Sequence, residues 1–464
     1  MQLNRCFGGG NLAQALGLLT ANLFIATGVH AQVPASALVA PPSANSLVDQ
    51  PGTSRLDSAV LFYQEASGRV KAIEPVSSFT AIDDAGDVLS LKVTIDSLTG
   101  ATPNGATPWK GLQTFTTPAA APGHTTSVTG ASGRSSIVTI PGTGTVARQY
   151  PADANTLPVD EGFHDKRLAI EGGFTMAVNP DLRLSIGGGA SREQDYRTYS
   201  VNTGVSKDLN GKNTTLSLAA NFEFDQSRPY YGTPDPLTVM SALEKGSQRN
   251  KTVSSVVAGV SQVINRYWLA QLSYNFGDSS GYQTDPYRIL SVVDPVTGGP
   301  VRYLYESRPN ARMRQSVYFG NKVALGPTFL DLSVRAYHDS WGVNSITTEI
   351  SERIPITSWF YVEPQARFYK QTAANFYRDF LINGQTLPTY ASSDSRLGKL
   401  DSHSFGLKLG LNVLDNGELY LLAERYSQTG VNHPSTAIGD LKNQDLFSGV
   451  KATSMIVGYT FSFY

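Results

Sequence analysis

The chain contains a single cysteine, Cys6, among its 464 residues, and it precedes the first apolar run. We expect this part of the chain to be removed, so the mature protein has no thiol. That absence excludes disulfides, thiolate metal sites, iron–sulfur clusters and cysteine nucleophiles. The formal net charge is only -1, which is not the strong positive charge of a dedicated nucleic-acid-binding protein. Beyond the N-terminal segment, no apolar run reaches the roughly 20 residues of a membrane-spanning helix.

The N-terminus has the pattern of a secretory signal peptide. Arg5 precedes an apolar run that ends in Val29-His30-Ala31, a cleavage region ahead of Gln32. The run is too short for a membrane anchor and Asn22 interrupts it. We therefore expect residues 1–31 to be a cleaved signal peptide, which sends the protein out of the cytoplasm. Residues 32–54, rich in Pro, Ala and Ser, are expected to form a flexible periplasmic lead-in.

The C-terminal stretch alternates with a period of two residues. One face of the predicted strand carries Met455, Val457, Tyr459, Phe461 and Phe463, and the other carries Ser454, Gly458, Thr460 and Ser462. An apolar face of this kind suits lipid. The segment resembles the aromatic assembly signal of bacterial outer-membrane barrels, with Phe463 setting the phase and Tyr464 as one extra residue. The resemblance implies that Tyr459, Phe461, Phe463 and Tyr464 are read by the barrel assembly machinery.

The same alternation recurs along the chain, for example from Trp268 to Phe276 and from Phe405 to Val413. Short links with turn chemistry, such as Asn210-Gly211, alternate with long links such as 228–249 and 281–310. The pattern after Val88 gives 14 strands, and the pair before it raises the number to 16. The sequence predicts an all-β transmembrane antiparallel β-barrel of the bacterial outer membrane over residues 55–464, with 16 strands and 14 as the alternative. Short turns are expected in the periplasm and long loops outside.

Residues 100–160 interrupt the alternation with Thr, Pro, Ala and Gly. A segment of this length without a periodic pattern predicts a long loop that is either functional or disordered.

Several motifs carry a family resemblance. They are Leu98-Thr99-Gly100-Ala101-Thr102-Pro103-Asn104-Gly105-Ala106, Gln113-Thr114-Phe115-Thr116, Asp285-Pro286-Tyr287-Arg288, Tyr305-Glu306-Ser307-Arg308-Pro309-Asn310-Ala311-Arg312 and Asp339-Ser340-Trp341-Gly342. Together they resemble the bacterial family of outer-membrane barrels catalogued as domain of unknown function 3570. The resemblance spans residues 55–464 and implies a barrel without a known substrate. It also hints at a redox-linked periplasmic partner, because some members lie beside genes for a small lipoprotein, a thioredoxin-like protein and a flavin transferase.

Charged residues of both signs share the phase of the polar face and are predicted to line the lumen. They are Arg183, Glu223, Arg335, Glu349, Arg353, Glu363, Arg367, Lys408 and Glu424. One interpretation is structural, because ion pairs can brace the wall and unpaired buried charge is costly. The other is a water-filled, weakly selective channel. The two interpretations are compatible.

Few residues suggest an enzyme. His433-Pro434-Ser435 has the His-x-Ser spacing of barrel lipases, but Pro434 would disrupt a central strand. Asp401-Ser402-His403 and Asp83-Asp84 have the residue types of a barrel protease, but they are expected on opposite rims. We therefore predict no catalytic residues, no metal site and no cofactor.

The first functional hypothesis is a passive, porin-like channel for small hydrophilic solutes, because 16 strands leave an aqueous bore. Residues 101–158 are expected to fold in as a constriction. The alternative is a plugged barrel scaffold that binds a periplasmic or surface partner in a redox-linked or adhesion system. A barrel hydrolase is third. The expected partners are outer-membrane lipid, the assembly machinery and a periplasmic lipoprotein or redox protein, but no nucleic acid.

Overall fold

The computed structural model of the protein describes residues 51–118, 136–139, 146–229, 232–240, 247–413 and 416–463. The predicted signal peptide, the lead-in up to residue 50 and Tyr464 lie outside the described residues. In chain order the strands are β1 (Ser54–Glu65), β2 (Val70–Ile82), β3 (Val88–Pro103), β4 (Gln113–Pro118), β5 (Ser136–Thr139), β6 (Val146–Ala152), β7 (Val159–Asn179), β8 (Leu182–Arg192), β9 (Tyr196–Leu209), β10 (Thr214–Ser227), β11 (Arg249–Asn265), β12 (Trp268–Gly281), β13 (Ile289–Val293), β14 (Pro300–Tyr305), β15 (Ala311–Leu325), β16 (Thr328–Asp339), β17 (Asn344–Pro355), β18 (Phe360–Gln371), β19 (Leu381–Ile382), β20 (Leu400–Val413), β21 (Gly417–Gly430) and β22 (Val450–Phe463).

Sixteen of these strands form one closed barrel, in the order β1-β2-β3-β7-β8-β9-β10-β11-β12-β15-β16-β17-β18-β20-β21-β22. The seam is an antiparallel pairing of β1 with β22, in which Ser54 lies opposite Phe463. The prediction of 16 strands is confirmed, and the alternative of 14 is wrong because β1 and β2 belong to the barrel wall. Closure leaves no unpaired edge, so the backbone groups of the barrel are paired within the wall.

The outer face of the barrel is apolar. Ile186 is 61% exposed, Val201 58% and Phe405 54%, whereas residues one position away on the same strands are less exposed. Large apolar side chains in an exposed belt around a closed barrel are the lipid-facing surface of a transmembrane barrel. Within the described ranges, no helix has the length and apolar character needed to cross a membrane.

The two rims of the barrel differ in the length of their links. The rim that holds both ends of the barrel has short turns, such as 180–181, 210–213 and 326–327. Asn210 and Gly211 have positive φ angles of 53° and 63°, the left-handed conformation that tight hairpin turns use. We call this the short-turn rim. The other, the long-loop rim, carries the links 104–158, 228–248, 282–310, 372–399 and 431–449.

The predicted boundaries of the long loop need a correction. Barrel pairing between β3 and β7 continues until Pro103 lies opposite Val159, so the loop is 104–158 rather than 100–160. Its described parts include β4, β5 and β6, which form a small sheet in the order β4-β6-β5. A second small sheet, β14-β13-β19, joins two other long loops.

Candidate functional site

The long loops pack together over the long-loop rim. We use "cap" for the described residues of the five long links 104–158, 228–248, 282–310, 372–399 and 431–449. Three hydrophobic clusters connect them. The first contains Ala106, Phe115, Tyr150, Ala152, Met240, Ile289 and Tyr305; the second Leu290, Val292, Leu304, Leu381 and Ala391; the third Val293, Phe380, Ala437 and Leu441. Because each cluster draws on two or more loops, the cap has a core of its own.

A close backbone contact fixes loop 104–158 to β13. The Ile289 amide donates to the Asn104 carbonyl oxygen over 2.9 Å. Gly105 has a φ of +98°, and a Cβ atom there would lie 2.3 Å from the Ile289 carbonyl oxygen. Only glycine fits this approach without displacement. The Thr107 amide then donates to Ser291 Oγ over 2.9 Å, which continues the contact.

A buried ion cluster links loop 282–310 to loop 372–399. Glu306, Arg308 and Asp394 are 0%, 4% and 1% exposed. Arg308 Nε lies 2.6 Å from Glu306 Oε1, and Arg308 Nη2 lies 2.9 Å from Asp394 Oδ2. Arg396 also contacts Asp394 over 2.6 Å, and the Asp285 amide donates to Glu306 Oε1 over 2.7 Å. Opposite charges and hydrogen bonds thus offset the cost of removing these groups from water.

The two buried carboxyls of this cluster respond differently to burial. For Glu306, burial raises the pKa above its ordinary value, and Arg308 only partly opposes that shift. Burial acts in the same direction on Asp394, but Arg396, Arg288 and Arg308 outweigh it and hold the pKa of that carboxyl well below its usual range. The neighbouring arginines therefore stabilise the charged form of Asp394, whereas burial destabilises the charged form of Glu306.

The motifs that carried the family resemblance meet in the cap and at its base. Tyr303 donates to Gln113 Oε1 over 2.7 Å, beside the buried ring of Phe115. At the rim, Arg312 Nε donates to Asp339 Oδ2 over 2.8 Å, and the guanidinium lies 4.2 Å from the Trp341 ring. The sequence showed these motifs, but their contacts were not predicted because polar loop residues have no periodic pattern that reports a partner.

The barrel wall holds the charged residues that were predicted to line the lumen. None of them is exposed, although apolar neighbours such as Phe222, Val334 and Leu407 are. Several are paired: Arg353 with Glu363 at 3.0 Å, Arg367 with Glu349 at 3.2 Å, Lys408 with Glu418 at 3.4 Å and Arg183 with Asp208 at 3.9 Å. Glu424 accepts from Gln365 over 3.3 Å, Arg335 lies 5.6 Å from the Tyr318 ring, and Glu223 shares its face of β10 with Asp225. These residues share the inner face; a conducting path between them remains a prediction.

Tyr361 connects the most buried part of this wall. It is 4% exposed and therefore does not face lipid. Its hydroxyl donates to Glu418 over 2.9 Å, and its ring lies 4.1 Å from Arg353 and 5.5 Å from Lys408. Glu418 and Tyr361 were missed as inner-face residues. The period-2 alternation could have placed Tyr361 on the inner face, because it is two residues from Glu363 on the same strand.

Part of the inner face is apolar, which was not predicted. Leu61, Leu422 and Ile456 form one buried cluster, and Tyr63, Val70, Ala72 and Ala452 form another. Ile456 stands on the face of the last strand that also carries Ser454, Gly458, Thr460 and Ser462. The wall around the β1–β22 seam therefore packs against itself rather than presenting only polar groups.

The residues considered for catalysis do not converge. Asp83 and Asp84 lie in the β2–β3 turn on the short-turn rim, whereas Asp401 lies near the start of β20 at the long-loop rim. His433 Nε2 lies 3.3 Å from Asp445 Oδ1. A surface cleft of about 680 Å³ is lined by Asn155, Leu157, His433, Asn443, Gln444, Asp445 and Phe447. Among the described residues, no group of three or more potential metal ligands is found.

Comparisons with known proteins identify the family of the chain and several distantly similar solved structures. The family model described as "Protein of unknown function (DUF3570)" matches residues 26–461, and no curated protein matches the chain. A mutant ferric enterobactin receptor from Pseudomonas aeruginosa is 12% identical, with 88% of this chain and 59% of the receptor covered and a TM-score of 0.41. The chain thus spans less than two thirds of that receptor. A bacterial polysaccharide outer membrane secretin is 9% identical, with 90% and 100% covered and a TM-score of 0.43. A channel titled "CymD monoaromatic hydrocarbon channel" is 8% identical, with 89% of both chains covered and a TM-score of 0.36.

Proposed function

The chain belongs to the DUF3570 family, whose description assigns no activity, and on that premise we propose that it is an outer-membrane channel for small hydrophilic solutes whose long-loop mouth is covered by the cap. The observation that carries the proposal is the closed barrel of 16 strands, because barrels of this size leave an aqueous bore whereas barrels of about 8 strands are filled by side chains. Export through a cleaved signal peptide, with the short-turn rim in the periplasm, is part of the proposal.

The charged inner wall supports a weakly selective path. Its ion pairs, such as Arg353 with Glu363 at 3.0 Å and Arg367 with Glu349 at 3.2 Å, combine both signs close together. Such a wall offers hydrogen bonds to hydrated solutes of either charge without a strong field for one sign. The charged residues thereby brace the wall and line the path at the same time.

The cap supplies the control of access. Residues 101–158 were expected to constrict the bore, and loop 104–158 contributes Phe115 and Tyr150 to the first hydrophobic cluster of the cap. The cap also contains the Glu306–Arg308–Asp394 cluster, which joins two further loops. Solutes pass when the cap moves, so the cap determines how often the channel conducts.

Single-channel conductance in a planar bilayer tests the proposal. Three refolded proteins are compared: the mature chain, a variant with an Asn-Gly turn in place of 104–158, and, as a control, the variant Arg249→Gln, whose residue begins β11 and pairs with Asp235 of the cap. The deletion joins Pro103 to Val159, which already lie opposite each other. We expect brief steps from the mature chain and the control, and longer openings from the deletion. The absence of steps from all three, with each migrating as a folded barrel, would overturn the channel.

A second function is favoured by the apolar packing on the inner face. Leu61 and Ile456 are each 1% exposed within the wall, as expected of a barrel whose interior is partly filled. Such a barrel would act as a scaffold for a periplasmic or surface partner, including a lipoprotein or redox protein. Silence in the bilayer together with a stoichiometric partner recovered from gently solubilised membranes would favour the scaffold. Neither function includes a catalytic step.

A further inference from the structure

Six cations form a group on the outer face of the barrel near the long-loop rim. We call this group the basic arc; it comprises Lys71, Lys166, Arg192, Arg197, Arg425 and Lys451. All six share the parity of lipid-facing neighbours, such as Ile73 after Lys71 and Tyr199 after Arg197. They therefore point away from the lumen, and none of the predicted lumen residues is among them.

Strand register shows that the arc covers one continuous sector. Arg425 lies opposite Thr453, Thr453 opposite Gln64, and Gln64 opposite Lys71. Lys451 lies two residues from Thr453 on the same strand. The sector continues through β3 to Lys166 on β7, and then to β8 and β9. Since neighbouring strands are about 4.8 Å apart, these side chains form a band along the rim.

Arg192 and Arg197 lie directly opposite each other on β8 and β9. Like charges in directly opposed cross-strand positions are destabilising. No ion pair involving either arginine occurs within the part of the chain that the structure describes. Two guanidinium groups held side by side form a receptor for an anion, and phosphate matches their hydrogen-bonding geometry.

The position of the arc indicates where that anion comes from. Leu168 and Ile170, each 47% exposed, follow Lys166 along β7 toward the middle of the barrel, so the cation lies at the border of the apolar belt. This is the depth of lipid headgroups. On β18 and β20, which adjoin the arc beside β21, Lys370 lies 3.8 Å from Asp401, and that pair needs no external anion.

We propose that the basic arc binds the phosphate groups of phosphorylated lipids in the leaflet at the long-loop rim, with Arg192 and Arg197 holding one phosphate between them. The site requires a lipid with a phosphate group. A phosphorylated glycolipid fits it, because its headgroup is anionic and its acyl chains would lie beside Tyr199 and Leu168. The lipid would thereby shield the repulsion between the two arginines.

Lipid retention by the full-length mature protein tests the proposal. The refolded barrel in a maltoside detergent is titrated with a diphosphorylated glycolipid, and its bound fraction is measured by native mass spectrometry. Three double variants are compared with it: Arg192→Gln with Arg197→Gln, Arg192→Lys with Arg197→Lys, and Lys207→Gln with Arg266→Gln. The last is a matched control, because Lys207 and Arg266 are exposed cations at the short-turn rim.

We expect the glutamine pair to bind the glycolipid at least about tenfold more weakly, the lysine pair to lose less, and the control to bind as the parent does. The dephosphorylated glycolipid should bind weakly to every protein. Equal binding of the two glycolipids, or equal loss in the glutamine pair and the control, would overturn the proposal. Inorganic phosphate binding as tightly as the lipid would overturn it too, by assigning the arginines to a free anion. Heat-modifiable migration on gels verifies that each variant is folded.

Discussion

Arg308 donates a hydrogen bond from Nη2 to Asp394 Oδ2 over 2.9 Å, and so joins two cap loops across 86 residues of sequence. Both side chains are almost fully buried. Surface ion pairs contribute little, but breaking a buried pair leaves an uncompensated charge in a poorly hydrated site. The integrity of the cap therefore depends more on this contact than on the exposed pairs around it.

Replacing Arg308 by Met should loosen the cap while leaving the barrel intact. The change leaves the carboxylates of Glu306 and Asp394 without their central cation, at a cost of about 3–5 kcal/mol. Hydrogen exchange of peptides from 285–310 and 376–397 measures the effect, and strand peptides should remain protected. Arg249→Gln is the control, because Arg249 and Asp235 form an exposed pair at 3.3 Å. Unchanged protection in both variants would contradict the assigned role.

Acid should open the cap over a pH range set by the titration of Asp394. Its pKa lies well below the usual range when the cap is folded, so its contribution is present above its unfolded pKa of about 3.9 and is lost as the pH falls further. The raised pKa of Glu306 has the opposite sign and favours the folded cap as the pH falls from neutral. Protection of the cap, corrected for intrinsic exchange, should hold from pH 7 to about 5 and drop below about 4.

The variant Asp394→Asn distinguishes the contribution of Asp394 to the pH dependence from that of Glu306. It should start with a less stable cap at neutral pH and lack the drop below about pH 4. A variant that kept the full acid transition would show that another group causes it.

Gly105→Ala should detach loop 104–158 from β13. A Cβ atom would lie 2.3 Å from the Ile289 carbonyl oxygen and 2.5 Å from Ser393 Oγ, so the backbone must separate, at more than the roughly 1 kcal/mol of a positive φ alone. Gly384→Ala is a matched control with a φ of +86° and nothing within 4 Å of the added atom. Proteolysis of the folded protein should cleave the first variant faster than the second. Equal rates would show that backbone strain alone accounts for the effect.

The barrel could be predicted from the sequence because its wall obeys a local rule. Period-2 alternation and turn residues such as Asn210-Gly211 give the strands and their links. The inner-face position of Lys408 follows from the same parity. Tyr361 shares that parity, but an aromatic residue near a turn is also typical of a girdle, and only burial decides between the two.

The cap could not be predicted, because its contacts are long-range and aperiodic. Arg308 and Asp394 are separated by the four barrel strands β15 to β18, and no local pattern pairs them. Phe115 is 1% exposed, yet it stands in a stretch of threonines without a repeat. The family motifs include Arg308 and Phe115 but not Asp394, and the role of all three follows only from the packed loops.

Phe463→Ala should weaken the seam of the barrel and slow its assembly. The Phe463 ring stacks on the Phe461 ring with their centroids 5.9 Å apart, and Phe461 in turn stacks on Tyr459. The Phe463 ring also lies 6.4 Å from the Phe79 ring on β2. Removing the ring costs the aromatic contacts, about 0.5–1.5 kcal/mol beyond the lost area, and changes the segment that resembles an assembly signal. Refolding in vesicles measures the first effect, and the amount of folded barrel in cells measures the second. Phe222→Ala, on the lipid-facing side of β10 across the barrel from the seam, should affect refolding but not assembly; equal loss in cells would contradict a terminal signal.

Lys408→Met should destabilise the wall and change its selectivity. The Lys408 side chain is 4% exposed, 3.4 Å from Glu418 Oε1, and its ammonium lies 4.4 Å from the Tyr420 ring. Methionine keeps the length but leaves Glu418 without this buried cation, at a cost of up to about 3–5 kcal/mol. Denaturant unfolding in vesicles measures that cost, and the reversal potential in a salt gradient should shift toward cations, because the wall has lost a positive charge.

The double variant Lys408→Met with Glu418→Gln distinguishes pairing from packing. It removes both charges and should recover most of the lost stability, since a neutral pair no longer leaves a carboxylate uncompensated. Lys322→Met is the control, because its pair with Asp331 at 3.4 Å is more than one third exposed and should contribute less than about 1 kcal/mol. A loss in the double variant as large as in Lys408→Met would show that the lysine acts through contact with Tyr361 and Tyr420 and not through its charge.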